Sequence, residues 1–115
     1  MKKITLIGNL GRAPESKYTP EGKMICEFSL AVQVGSGENK KTEWYDCAAW
    51  EKTAEILAKY LDKGSKLYVE GPFKLETWSK KDTGEPQAKI VVTVREFEFL
   101  SPKKNKDDDA EQTYP

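Results

Sequence analysis

The stretch MICEFSLAVQVGSGENKKTEWYDCAAWEKTAEILAKYLDKG, residues 24–64, contains two different hydrophobic periods. Every even position of residues 24–34 is apolar, and this alternation predicts a half-buried strand. The turn GSGEN then leads into residues 42–50, which are predicted to form the returning strand. From residue 51 onward the apolar side chains follow helical spacing instead, so residues 51–63 are predicted to form a helix that Gly64 ends.

The segments on either side of this stretch read as further strands. Residues 3–8 form a short apolar run, and residues 65–78 alternate, with Gly71 and Pro72 marking a bend or an edge position. Residues 88–100 are rich in β-branched side chains and predict the last strand. Five strands with one helix between the third and fourth indicate an all-β, Greek-key OB-fold barrel. A five-stranded α+β roll remains the alternative on this pattern.

Length and composition limit the organisation of the chain. At 115 residues there is room for a single domain, which we expect to span residues 1–102. Residues 103–115 are too polar to pack and predict a short, charged, disordered tail. Neither a charged-then-apolar leader nor a long apolar run is visible, so a cytoplasmic protein without a membrane partner is expected.

The absence of histidine removes most enzyme chemistry, because imidazole bases, histidine metal ligands and triads built on histidine are all excluded. Cys26 and Cys47 lie far apart without a CxxC pairing, so they predict buried free thiols and no metal site. No phosphate loop or nucleophile with a base accompanies the acidic residues. The sequence therefore predicts a binding protein with no catalytic residues and no cofactor.

Two of the three tryptophans, Trp44 and Trp50, lie on the same side of the predicted strand 42–50. The opposite side carries Tyr45, Cys47 and Ala49, which can be buried without burying a charge. The tryptophan side carries Asp46, whose burial without a partner would cost several kcal/mol, about 2 to 7 for a polar group. Both indoles are therefore predicted to point outward, either to bind a ligand or to pack under a loop or against a second subunit.

Basic residues accompany each tryptophan along the chain. Lys40 and Lys41 precede Trp44, Lys52 follows Trp50, and a third aromatic–basic cluster surrounds Trp78, with Lys74, Lys80 and Lys81. Aromatic rings that stack bases and lysines that follow phosphates are the composition of a single-strand binder. The chain has 19 lysine and arginine residues and 19 aspartate and glutamate residues, so its total charge gives no support for a nucleic-acid ligand. Such support has to come from the local distribution of charge.

The sequence closely resembles the bacterial-type single-stranded DNA-binding protein family. The resemblance is carried by ITLIGNLGRAPESKYTPEG at residues 4–22, TEWYDCAAWEKTAEILAKYLDKGSKLYVEG at residues 42–71 and KLETW at residues 74–78. It implies an OB-fold, a homo-oligomer that is usually a tetramer, and sequence-tolerant binding of single-stranded DNA in replication, recombination and repair. It implies no catalysis.

The resemblance also implies roles for residues at matching positions. Base stacking falls on Trp44, Trp50 and Trp78, and phosphate binding falls on Lys3, Lys52, Lys63 and Lys74. Our own interpretation of the sequence adds five further basic residues near the groove: Arg12, Lys40, Lys41, Lys80 and Lys81. The acidic tail residues Asp107, Asp108 and Asp109 are candidates for recruiting replication and repair proteins.

One departure from the family pattern concerns Asp46, which stands where many relatives carry a basic residue and is predicted to weaken phosphate binding locally. Two other functions remain open at this point. A primosome-type OB adaptor would act mainly through protein partners, and an RNA-binding OB domain would differ in its choice of nucleic acid.

Overall fold

The computed structural model describes residues 1–101. Over these residues the chain is mostly β-structure, with a single α-helix, α1, at Glu51–Tyr60 and a 3-10 turn at Gly37–Asn39. The helix follows the strand that contains Trp44 and Trp50, as predicted. The strands, in chain order, are β1 Ile4–Leu10, β2 Glu15–Tyr18, β3 Met24–Val34, β4 Lys41–Trp50, β5 Lys66–Gly71, β6 Phe73–Ser79, β7 Pro86–Thr93 and β8 Glu96–Phe99.

All eight strands belong to one sheet with the order β6-β7-β4-β3-β1-β5-β8, and β2 adds to β3 beside this path. The pairs are antiparallel except β4 with β7, which run parallel. The mostly-β class with one helix is confirmed, but two details differ from the prediction. The described strands number eight rather than five, and the path of paired strands is not closed into a barrel.

The larger strand number has a physical cause at the predicted bend. Pro72 has no backbone N–H for a ladder, so the fourth predicted strand divides into β5, which pairs with β1 and β8, and β6, which pairs with β7. The last predicted strand divides opposite this bend. There the N–H of Thr93 donates to the carbonyl of Pro72, and the N–H of Arg95 donates to the carbonyl of Glu70.

The hydrophobic core lies between the sheet and α1. Strand β3 is confirmed at residues 24–34, and its even positions Cys26, Phe28 and Leu30 are buried. Helix α1 buries Ala54 and Leu57, two of the apolar residues whose helical spacing predicted it. It ends at Tyr60 rather than at residue 63, because Leu61 takes an extended conformation while its N–H still donates to the Leu57 carbonyl.

Strand β2 has no counterpart in the sequence prediction. All four of its residues are exposed, so no apolar alternation marks it, and it exists because it pairs with β3. No helix within residues 1–101 is long and apolar enough to cross a membrane. The predicted tail, residues 103–115, lies outside the described residues.

Candidate nucleic-acid interface

Strand β4 places its two tryptophans outward, as the alternation predicted. Trp44 is 58% exposed and Trp50 is 44% exposed, whereas Cys47 and Ala49 on the other side of the strand are buried. Trp50 ends the strand, and Glu51 adopts a left-handed φ of 56°, so the chain turns directly into α1. Since left-handed backbone is unfavourable for a residue with a side chain, this junction is a strained corner that sets the position of Trp50.

The third tryptophan joins the other two through pairing between strands that are distant in the chain. Asp46 of β4 lies beside Val91 of β7, and β6 pairs with β7 so that Trp78 lies beside Gln87. Residues paired in this way share one side of a sheet. We call the side of β6, β7, β4, β3 and β2 that carries Trp44, Trp50 and Trp78 the tryptophan face.

Distances on this face follow from strand geometry. Trp44 and Trp50 are about 20 Å apart along β4, at roughly 3.3 Å per residue. Trp78 lies two strands away from β4 in the sheet order, which is about 10 Å across the sheet. Trp78 is 47% exposed. The register of β4, β7 and β6 sets Trp78 toward the Trp44 end of the face, so the three indoles do not form a single row.

Gly11 supports Trp44 from the loop after β1. A Cβ built on Gly11 would lie 2.7 Å from Cζ3 and 2.8 Å from Cη2 of the indole, so the backbone approaches the ring closely. The N–H of Gly11 donates to the carbonyl of Ser29 on β3, which holds the loop in this position. This loop limits the positions open to the Trp44 ring.

A groove of about 370 Å³ occupies the middle of the tryptophan face. Its floor comes from β3, β4 and β7, and its wall includes the loop that follows β1. The charged residues that line it are Arg12, Glu15, Glu27, Asp46, Glu76 and Lys89. Two cations and four carboxylates do not make a basic groove, so phosphates are not attracted to it by net charge.

Lysines on the tryptophan face compensate three of these carboxylates. Lys89 Nζ lies 3.2 Å from Asp46 Oδ2, and the Ser29 hydroxyl donates to Asp46 Oδ1 over 3.2 Å. Lys17 pairs with Glu27 at 2.9 Å, and Lys74 pairs with Glu76 at 3.5 Å. Asp46, which lies between Trp44 and Trp50 on β4, thus has a cationic partner in Lys89.

The structure brings only part of the predicted basic set to this face. Lys74 shares it with Trp78, because the two are four residues apart on β6. Arg12 lines the groove. Lys3 lies elsewhere, beside the β1–β5 pair, where its ammonium contacts Glu70 Oε2 at 2.6 Å. That hydrogen bond raises the pKa of Lys3 and, together with one from Tyr68, lowers the pKa of Glu70.

The remaining predicted cations lie outside the groove. Lys52 is in the first turn of α1, and Lys63 follows the helix. Lys41 starts β4, where the alternation places it on the opposite side from Trp44, and Lys40 precedes it. Lys80 and Lys81 lie in the turn between β6 and β7, next to Trp78 in the chain. These residues are exposed, and none of them lines the groove.

Sequence reasoning missed Lys89 and Lys17, the lysines that pair with Asp46 and Glu27 on this face. Lys89 also lies 5.8 Å from the centre of the Trp78 ring. Nothing near Lys89 in the chain is aromatic, so local composition gave no signal. The register of the β6–β7 hairpin could have found it, because a tight turn near Gly84 sets Lys89 opposite Glu76, two residues from Trp78.

The cysteines are unsuited to chemistry at the surface. Both thiols are free and buried, and burial raises the pKa of Cys26 to about 11 and that of Cys47 to about 12. Within residues 1–101, no three histidine, cysteine, aspartate or glutamate side chains cluster so as to hold a metal ion. The exposed indoles of the tryptophan face can stack planar rings.

Comparisons with known proteins agree with this geometry. The model of the single-strand binding protein family matches residues 1–100. "Single-stranded DNA-binding protein 1" of Synechocystis sp. is 35% identical over 113 residues, covering 97% of this chain and 93% of that protein. A protein of the same name from Nostoc sp. is 36% identical over 104 residues, covering 90% and 87%.

A solved structure described as a Plasmodium falciparum SSB complex with ssDNA is similar in fold, with a TM-score of 0.72 and 26% identity. The similarity covers 88% of this chain and 96% of that one. These names do not favour the adaptor alternative, because the curated relatives are described by their binding of single-stranded DNA. The family model and the two relatives cover nearly the whole described chain, and the chain belongs to the single-strand binding protein family.

Proposed function

We propose that this protein binds and protects single-stranded DNA in replication, recombination and repair, with little preference for base sequence. The observation that carries the proposal is the presence of three half-exposed indoles on one face of the sheet, which also carries a groove. Bases stack on such rings for about 1 to 3 kcal/mol each, and stacking accepts any base. Trp44, Trp50 and Trp78 are the stacking residues.

Phosphate contacts come from basic residues near the indoles. Lys74 on the tryptophan face and Arg12 at the groove are supported by position. Lys80 and Lys81 are close to Trp78 in the chain, and Lys52 is close to Trp50. Single-stranded DNA that extends beyond either indole would therefore pass these lysines. Lys3 and Lys63 remain part of the proposed contact set on the basis of the family resemblance, and Lys40 and Lys41 on the basis of our interpretation of the sequence; all four are exposed.

A fluorescence titration tests the proposal directly. Saturating poly(dT) at low salt should quench tryptophan emission, because bases would stack on the indoles, and the affinity should fall as salt rises. DNA of mixed sequence and equal length should bind with similar affinity. Competition with RNA of the same length separates the RNA-binding alternative. Unchanged emission together with no retention of labelled oligonucleotide would refute the function.

We also propose that the protein forms a homo-oligomer, with a tetramer as the expected state. Strand β1 pairs with β3 only at Asn9 and Leu10. The edge of residues 4–8 that faces β3 has no strand paired with it among the described residues. An open strand edge of this kind is a natural site for pairing with a second chain. Light scattering with and without DNA measures the mass, and a monomer at micromolar concentration would contradict this part.

Two further parts of the proposal concern partners and location. Asp107, Asp108 and Asp109 are proposed to recruit replication and repair proteins. Truncation after residue 102 should leave the DNA affinity in place and remove co-purification of such partners. The expected location is the cytoplasm, associated with the nucleoid, and it is tested by imaging a tagged chain.

A further inference from the structure

Lys89 and Arg12 are the two cations that line the groove of the tryptophan face, and the roles inferred from the sequence do not use Lys89. Pairing places it opposite Glu76, and its ammonium reaches Asp46 at 3.2 Å and the Trp78 ring at 5.8 Å. A nucleotide whose base stacks on Trp78 carries its phosphate one sugar away from that base. Lys89 is therefore well placed to meet a phosphate of the bound strand.

In the free protein this ammonium is already occupied by a carboxylate. Asp46 does not turn away to solvent, because its second oxygen accepts a hydrogen bond from the Ser29 hydroxyl. The side chains of Lys89 and Asp46 are 44% and 43% exposed. Exposed pairs of this kind contribute little to folding, so stability does not explain the pair, and an anion from solution can compete with it.

We propose that Lys89 is a phosphate-contacting residue of the tryptophan face and that Asp46 masks it in the free protein by holding its ammonium. This inference rests on the proposed function, since the anion that competes with Asp46 is a phosphate of single-stranded DNA. Asp46 acts as an internal substitute for that phosphate. It lowers affinity both by occupying Lys89 and by repelling the strand once the exchange has taken place.

The masking has a measurable signature in the salt dependence of binding. Each phosphate neutralised on a single strand makes the slope of log affinity against log salt steeper by about 0.7. When a phosphate replaces Asp46 at Lys89, the freed carboxylate attracts a cation from solution, which offsets the cation that the DNA releases. The pair thus adds almost nothing to the slope, and removing the Asp46 charge should restore the missing contribution.

Four variants of the full chain test this with poly(dT) and tryptophan emission at several salt concentrations. Asp46→Asn should bind about twofold to fivefold more tightly at low salt and show a slope steeper by about 0.7. Lys89→Gln should bind more weakly. The double variant Asp46→Asn/Lys89→Gln should return to the slope of the wild type. Glu55→Gln, which removes an exposed charge on α1, is the matched control and should change neither quantity.

Other outcomes overturn the inference in distinguishable ways. An unchanged slope in Asp46→Asn shows that Lys89 does not meet a phosphate. A steeper slope that persists in the double variant shows that Asp46 acts without Lys89. In both cases the wild type still binds and quenches, so the proposed function stands. A wild type that neither quenches nor retains DNA overturns the function and this inference together.

Discussion

Trp50 and Trp78 reach the tryptophan face by different routes, one from the alternation of β4 and the other from the pairing of β6 with β7. Both rings are close to half-exposed, so each presents surface to a base while the rest of the side chain is packed against the protein. A platform fixed in this way loses little entropy on binding. Each indole should therefore contribute separately to affinity.

Replacing either ring by alanine tests this. Trp50→Ala and Trp78→Ala should each weaken poly(dT) binding by about 1 to 3 kcal/mol through loss of stacking. Affinity is measured by retention of labelled DNA, since each variant also loses emission. Tyr18→Ala is the control, because Tyr18 is an exposed aromatic on β2 whose pairing with Met24 sets it on the other side of the sheet. Equal affinity in the tryptophan variants would refute their assignment.

Gly11 offers a test of the position of one ring without its removal. In Gly11→Ala the new methyl group would come within 2.8 Å of the Trp44 indole, so the ring must move outward. Because Trp44 is exposed, we expect little change in stability but a shifted emission maximum and weaker DNA binding than the wild type. The loss should be smaller than that of Trp44→Ala. Emission and affinity identical to the wild type would contradict the close approach of Gly11 to the indole.

Strand β5 can turn into β6 because its last residue has no side chain. A Cβ on Gly71 would lie 1.8 Å from the carbonyl oxygen of Thr93. This oxygen belongs to the backbone of β7, so it cannot move aside as the end of a flexible side chain could. The bend allows one predicted strand to supply β5, which lies between β1 and β8, and β6, which forms the opposite end of the sheet. Since β6 carries Trp78 and Lys74, this backbone contact also determines the shape of the tryptophan face.

Gly71→Ala should destabilise the protein by about 1 to 3 kcal/mol or more, because the methyl group must push two strands apart. Urea unfolding measures this loss. Gly84→Ala is the matched control: a Cβ there meets nothing within 4 Å, but its φ of +75° is unfavourable for alanine. Gly71 has no positive φ, so its substitution adds the clash with Thr93 without the strain that Gly84→Ala introduces. A loss in Gly71→Ala no larger than that in Gly84→Ala would contradict the clash.

The whole fold encloses its two thiols, which makes them reporters of global unfolding. Cys26 and Cys47 have pKa values raised by burial above the ordinary thiol value of 9.0. The unfolded chain therefore releases these protons at lower pH than the native chain. Their contribution to stability is complete below about pH 9 and is lost as pH rises toward the native values of about 11 and about 12.

Above pH 9, stability should thus fall by up to about 1.4 kcal/mol per pH unit for each thiol. Urea unfolding between pH 8 and 10.5 measures the slope, and the comparison with Cys47→Ala isolates one thiol from the other groups that titrate there. The variant should show a shallower fall with pH, whatever its stability at pH 8. Parallel curves would show that Cys47 is not shielded in the native state.

Much of this architecture could be predicted from local pattern. The alternation of residues 24–34 and of the strand with Trp44 and Trp50 identified the buried sides correctly, because a strand turns successive side chains to opposite faces. Helix α1 followed from its apolar spacing, although its end did not, since the extended conformation of Leu61 depends on packing. Strand β2 was missed because its exposed residues carry no period.

Taken alone, the sequence determined the family, the mostly-β class, the outward direction of Trp44 and Trp50, and the burial of both cysteines. These features depend on the local backbone period and on motifs that are contiguous in the chain. Tertiary structure alone decided that Trp78 shares their face, that Lys89 lies against Asp46, and that the sheet stays open at β6 and β8. Those features depend on the parallel pairing of β4 with β7 and on the bend after Gly71, which join residues distant in the chain.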